Sequence, residues 1–344
     1  MDDMRSKNEH SAAGEKPANL YNTNSNLVDY ILGITFEIWE QRQVEKIFDY
    51  YGDEVEVFSL DGITRGASSM VEKTYQTLAA YPDRLLLGDE VIYSGNCKKG
   101  FSSHRLTSPM THLGPISFGA PTGQRIRIMN IADCEIIDGR ITREWLVRDN
   151  LALVTQLGFD PPVSAGIMAE NFDSSLREWL QQEFQRTTGG SASFTPPAKE
   201  HSTTRFAQEV LDACWRSGDP ATLKGAYATY CCMHRSPIQL FSGRNEILTH
   251  YANWRDALPD AHLSIDNVCS QPFNRPEDGD CMNLAVRWSV AGTHQGSFAG
   301  NTPTGKPVYI VGVTHWKIID GRIASEWTIF DELAMLAQTL LQPE

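Results

Sequence analysis

The chain has 344 residues, 41% of them hydrophobic, and a formal net charge of −13 at pH 7. That length suits two ordinary domains, each able to bury a core, and the acidic balance argues against nucleic acid or an anionic membrane as the main partner. The seven cysteines are scattered, odd in number and without metal-ligand spacing, so reduced thiols, a cytoplasmic location and no metal site are expected; no apolar run is long enough to cross a bilayer, and no signal peptide is read. Residues 1–23 are rich in Ser, Asn, Lys and Glu, which predicts a disordered tail. From Leu27 to Tyr51, Ile31, Ile34 and Ile38 recur at helical spacing with Trp39 beside them, predicting amphipathic helices. Ser68–Ala80 predicts another helix, closed by Tyr81-Pro82-Asp83.

Beyond that point the apolar period shifts to two. Strands are predicted over Leu85–Tyr93, His104–Phe118, Arg125–Ile137 and Arg140–Val147, with Asp138-Gly139 as a hairpin signal between the last two. Helices followed by a mainly antiparallel sheet give an α+β pattern. Phe159–Phe206 then supplies a connection. It opens with Pro161-Pro162, carries one predicted helix (Met168, Phe172, Leu176, Trp179, Leu180, Phe184), and ends in a Gly, Ser and Pro-rich linker. The helix is expected to dock, since its aromatic residues would otherwise be exposed.

The rest of the chain repeats the first part. Thr111-His112-Leu113-Gly114, Pro121-Thr122-Gly123, Asp138-Gly139-Arg140-Ile141, Glu144-Trp145 and Asp149 return as Thr293-His294-Gln295-Gly296, Pro303-Thr304-Gly305, Asp320-Gly321-Arg322-Ile323, Glu326-Trp327 and Asp331. One offset of 182 residues, the gap between Asp149 and Asp331, holds from Arg105 and Arg287 onward. Upstream, Trp39, Tyr51 and Gly66 match Trp215, Tyr227 and Gly243 at an offset of 176 to 177. A unit of that size is a whole domain, so this is a duplicated domain. The organisation read from the sequence is a tail over 1–23, a first domain over 24–160, a linker with one helix over 161–204 and a second domain over 205–344. The two sheets are expected to face each other as a pseudo-symmetric pair within one chain, with a homodimer as the alternative.

Alternation on the last strand puts Trp145, Val147 and Asp149 on one face and Glu144, Leu146 and Arg148 on the other. Trp327, Ile329 and Asp331 share the equivalent face. An acid in line with an apolar stripe is either desolvated, with its pKa raised into the range of a general base, or an N-cap of the short helix that follows. The two readings are not exclusive. His112 and His294, and Arg105 and Arg287, recur in both copies. Each is read either as a packed or ion-paired structural residue or as part of a site. No phosphate loop or Ser nucleophile elbow is present.

The series Arg-x5-Thr-His-x-Gly, Pro-Thr-Gly and Asp-Gly-Arg-Ile-x2-Glu-Trp-x3-Asp resembles the SnoaL-like polyketide cyclases, over roughly residues 27–158 and 205–340. The resemblance implies two tandem cone-shaped α+β domains, each with helices closing over a strongly curved sheet around an apolar pocket. It also implies acid/base catalysis on a small hydrophobic carbonyl compound, with no cofactor, by intramolecular aldol closure or a related isomerase or lyase step. Non-catalytic binding of a small hydrophobic ligand, or a purely structural duplication, are the rival readings.

Carried over residue by residue, the family's base falls on Asp149 and Asp331, with Asp331 expected to be the working one. His294, His112, Arg287 and Arg105 would assist, along with His234 from a His-x2-Pro element, His234-Arg235-Ser236-Pro237, that the first half lacks. Trp327, Trp145, Tyr227 and Tyr51 would contact substrate. Because Glu56-Val57-Phe58-Ser59 replaces that element, the first half is expected to be the drifted one if either has drifted.

Overall fold

The computed structural model describes residues 26–190, 201–272, 281–298 and 301–341. The expected tail and the Ser- and Pro-rich stretch from 191 to 200 lie outside the described residues. The first half opens with α1 (Leu27–Thr35), capped by Asn26, whose side chain accepts from the Val28 amide, and continues through a π-helical turn, Phe36–Glu40. There follow α2 (Ile47–Tyr50), β1 (Tyr51–Ser59), β2 (Gly62–Arg65), α3 (Ala67–Ala80), β3 (Leu87–Gly95), β4 (Lys99–Thr111), β5 (Arg125–Ile137), β6 (Arg140–Arg148) and α4 (Asn150–Leu157). The connection carries α5 (Pro161–Glu170) and α6 (Ser174–Thr188). The second half holds α7 (His201–Asp212), α8 (Pro220–Ala226), β7 (Tyr227–Ser236), β8 (Gln239–Ser242), α9 (Arg244–Ala257), β9 (His262–Pro272), β10 (Cys281–Thr293), β11 (Pro307–Ile319), β12 (Arg322–Phe330) and α10 (Glu332–Leu340).

The two sheets have one topology, β2-β1-β6-β5-β4-β3 and β8-β7-β12-β11-β10-β9. In each, the first strand lies parallel to the last and the other pairs are antiparallel. Both hairpins have positive φ at Asp138 and Gly139, and again at Asp320 and Gly321, as a type I′ turn requires. Register shifts near Glu135/Ile136 and Lys317/Ile318 bend the last strand pair of each sheet, as bulges do.

The strand predicted over His104–Phe118 instead starts at Lys99 and ends at Thr111, because the Thr-His-x-Gly segment leaves the sheet to close the end of the domain. Thr111 and Thr293 amides donate to Asp83 and Asp260, and a Cβ on Gly114 would stand 2.4 Å from the Ala79 carbonyl oxygen. The recurrent motif is therefore a latch between β4 and the end of α3. The strands β1 and β2 do not stand out by periodicity, since Asp53, Glu54 and Glu56 interrupt their pattern.

The connection holds two helices rather than one. The Asp173 side chain accepts from the Leu176 amide and starts a second helix. Met168, Phe172, Leu176 and Leu180 bury into the core of the second half. Trp179 stacks on Phe58 of the first half at 5.5 Å and meets Tyr309 of the second edge-on at 5.7 Å.

The outer faces of the two sheets pack on each other. Met129, Ile131 and Val147 meet Val313 and Ile329 in one buried cluster. Around it, Arg287 donates to Asp133 at 2.7 Å and Ser103 bonds to His315 at 2.8 Å. A reciprocal pair completes the contact, with Arg105 lying 3.9 Å over the Trp327 ring and Arg287 3.5 Å over Trp145. Each sheet thus buries both faces, one inside its own cone and one against its twin. Among the described residues no helix is long and apolar enough to cross a membrane.

Candidate active site

The inward face of β6 carries Glu144, Leu146 and Arg148, and β4 and β5 turn His104, Leu106, Asn130 and Cys134 the same way. With α1 and α3 they enclose a cavity of about 130 Å³. Ile34, Met70, Leu86, Leu106 and Leu146 give it an apolar bed. The polar groups are few and unlike one another.

Glu144 is buried and accepts from the Tyr51 hydroxyl at 3.1 Å and from Cys134 Sγ at 3.8 Å. Burial raises its pKa, more than the Tyr51 bond and the Arg148 charge pull it down. His104 is held neutral. Burial, with Arg105 behind it, lowers its pKa to about 4, and its Nδ1 lies 3.5 Å from Thr35 Oγ1. Arg148 pairs with Asp61 at 3.2 Å, Lys73 donates to Thr64 at 2.8 Å, and Asn130 donates to Ser108 at 3.2 Å. Arg84 is half-buried as a residue, yet its Nε is sealed from solvent without a partner. Burial and the neighbouring Arg148 lower its pKa to about 9.

In the second half the same space is filled. Leu106, Cys134, Thr74, Thr77 and Arg148 correspond to Trp288, Trp316, Tyr251, Trp254 and Phe330, all buried. Trp215 lies 4.9 Å from Trp288 and 5.5 Å from Phe330, ring to ring. Gly312, the counterpart of Asn130, makes this packing feasible, since a Cβ there would come within 2.3 Å of Trp288. The expectation that the first half had drifted is thus reversed at the level of the cavity, because large aromatics occupy the interior of the second. Glu326, the counterpart of Glu144, is closed off by Tyr227, Tyr251, Trp316 and Thr328, which donate at 2.6, 2.5, 3.1 and 2.6 Å. Glu144 keeps the tyrosine, and Cys134 stands in the place of Trp316. Thr74 and Leu146 replace the other two donors.

Of the residues expected from sequence, Tyr51 lines the cavity, and Tyr227 is its counterpart in the filled half. The others lie elsewhere. Asp149 and Asp331 are N-caps of α4 and α10, accepting from the Ala152 amide and from the Leu333 and Ala334 amides. They are also buried near one another between the halves, where Asp331 accepts from Asn150 at 2.6 Å. Burial, with Asp61 adding, raises Asp331 to about 8, and burial raises Asp149 to about 6 against the pull of Arg235. Cap and raised pKa coexist. For each acid the desolvating surface is the opposite half of the chain, not a pocket wall.

Arg105, Arg287, Trp145 and Trp327 form the contact between sheets, and His234 stacks on Trp327 at 5.2 Å on the side away from the cavity. His112 and His294 sit in the latch, with Nδ1 at 3.2 Å from Thr122 Oγ1 and 3.1 Å from Thr304 Oγ1. Glu144, His104, Lys73, Arg84 and Arg148 were not singled out by sequence reasoning. The available signal was the inward alternation of Glu144, Leu146 and Arg148, equal in strength to that of the other face. Among the described residues no three His, Cys, Asp or Glu side chains cluster as metal ligands would.

The model of the SnoaL-like polyketide cyclases matches residues 31–157 and 205–339, which is most of the chain and both halves. The chain belongs to the SnoaL-like polyketide cyclase family. Its two copies of the family domain share a topology and differ in whether the interior is open. No curated protein matches the chain. Among solved structures it is similar to IdmH of Streptomyces antibioticus, at 20% identity over 38% of this chain and 97% of that one, with a TM-score of 0.34. It is similar to a SnoaL-like protein of Jannaschia at 18% identity over 44% and 99%, TM-score 0.36. AclR of Streptomyces galilaeus is similar at 22% identity over 39% and 98%, TM-score 0.34.

Proposed function

We propose that the first half is a cofactor-independent acid/base catalyst acting on a small hydrophobic carbonyl compound, by intramolecular aldol closure or a related isomerase or lyase step, with Glu144 as the base. The observation that carries this is the difference between Glu144 and Glu326. Opening the cavity removes donors from the carboxyl, leaving it desolvated and facing the enclosed space. A raised pKa suits a carboxyl that must take a proton from carbon near neutral pH. The Glu144 carboxylate removes the proton alpha to a carbonyl, and the enolate carbon attacks a second carbonyl of the same molecule. The alkoxide so formed takes the proton back from Glu144. Neutral His104 and Asn130 are donors of the kind that steady an enolate oxygen. The second half acts as scaffold.

Glu144→Gln tests the reading. A loss of about a hundredfold or more in kcat, with ligand binding retained, is expected. Turnover that survives in Glu144→Gln and disappears in Asp331→Asn would return the base to the contact between the halves. A second reading, a non-catalytic binder, is favoured by the bonds that Glu144 already accepts from Tyr51 and Cys134. It predicts ligand binding without turnover in the unmodified protein. The cytoplasmic location and the absence of a nucleic-acid partner remain part of the proposal, resting on composition; the cysteines form no disulfide.

A further inference from the structure

The open cavity holds more positive charge than its own residues balance. Arg148 has Asp61 at 3.2 Å and the Glu144 carboxyl within electrostatic reach, and Lys73 donates to the Thr64 hydroxyl with Asp61 nearby, so two carboxyls face three cations. Arg84 has no carboxylate partner among the described residues, and its Nε is buried and unbonded. An unpaired guanidinium sealed beside a second one is costly, and it is retained only where something compensates it. The filled half supplies the contrast. Arg84, Arg148 and Lys73 correspond there to Ala261, Phe330 and His250. All three cations are present where there is space for a ligand, and none where there is not.

We infer that the first-half cavity binds a carboxylate, held by Arg84 and Arg148 with Lys73 beside them, so that the substrate is a small apolar keto acid rather than a neutral ketone or ester. The planar fork of a guanidinium matches a carboxylate in shape and charge. The polar groups also set a spacing. Glu144 and Arg148 lie on the same face of β6 with Leu146 between them, which is about 13 Å of strand. The carboxylate therefore docks at one end of the cavity and the reacting carbon lies toward the other, with an apolar segment over Leu146 and Leu106. A cavity of on the order of 150 Å³ accepts a benzene-sized guest, so the enclosed part of the ligand is about one ring.

The inference rests on the cavity being the ligand site, and the test separates the two. Full-length protein is titrated calorimetrically with 3-phenylpropanoate and with its methyl ester. The acid is expected to bind about tenfold tighter than the ester, and Arg84→Met to bring the two within about twofold while Arg84→Lys keeps part of the preference. Arg84→Met should fold, since the side chain it removes has no carboxylate partner among the described residues, and a melting curve checks this. In Leu106→Trp/Asn130→Gly, which copies the filled half, both compounds should lose binding. Equal binding of acid and ester, both lost in that double variant, would overturn the carboxylate inference and leave the site intact. Binding unaffected by the double variant, or no binding of either compound at millimolar concentration, would overturn both.

Discussion

Leu106 and Trp288 hold the same position on the inward face of the two equivalent sheets. Leu106 lines a cavity, whereas Trp288 fills one, with its indole NH donating to Thr314 at 2.9 Å. Around Trp288 the second half has exchanged a ligand space for an aromatic core. Trp288→Leu should therefore destabilise the protein by about 3 kcal/mol, read from urea denaturation, without loss of the first half's ligand binding. A destabilisation under about 1 kcal/mol would mean that the aromatic core is not under load.

Glu144 gives a pH signature. Its pKa is raised by burial, so the acidic limb of kcat/KM against pH should lie above the ordinary carboxylate range, with activity rising as the carboxyl ionises. In Glu144→Gln that limb should vanish together with the activity. A limb in the ordinary range, or one that persists in the variant, would assign the ionisation to another group.

Asp331 links pH to stability through the contact between the halves. Its pKa of about 8 in the folded chain stands above the ordinary 3.8, so the folded state keeps a proton that the unfolded state releases. Stability therefore falls as pH rises from about 4 to about 8, at about 1.4 kcal/mol per unit if the group acts alone. Asp149, raised to about 6, acts with the same sign over a shorter window. Asp331→Asn still accepts from helix amides but cannot ionise. It should flatten this slope and be more stable than the unmodified protein at pH 9 by about 1 kcal/mol or more. Equal slopes in urea midpoints between pH 5 and pH 9 would contradict this, as would a carboxyl carbon shift titrating near 4.

Arg287 and Arg105 are related by the duplication yet should not cost the same. Arg287→Ala strands Asp133, whose carboxyl is buried and bonded to Arg287 at 2.7 Å. The expected cost is about 3–5 kcal/mol. Arg105 has its nearest carboxylate, Asp89, at 3.8 Å and gives up mainly its contact over Trp327, so Arg105→Ala should cost about 1–2 kcal/mol. Denaturation midpoints of the two variants decide it, and equal losses would mean that the Asp133 pair adds nothing.

The duplication, the α+β class and the Asp-Gly hairpins were legible in the chain because they depend on local rules: motif register, apolar period and turn chemistry. So was the sorting of β6 into two faces, which follows from an alternation of two. The filled interior left a trace as well, since Trp288, Trp316, Trp254 and Tyr251 replace smaller residues at matched positions. What alternation cannot say is which face looks inward. In most sheets polarity answers that, because one face meets water. Here both faces are buried, one within the cone and one against the twin sheet, so Trp145, Val147 and Asp149 looked as much like a pocket wall as Glu144, Leu146 and Arg148. Only the packing of the two halves turned Arg105, Arg287, His234, Asp149 and Asp331 toward the seam and left Glu144, His104, Arg84 and Arg148 around the cavity. The sequence determined two domains and their side-chain alternation, while the tertiary contact between the sheets decided which side of each is the site.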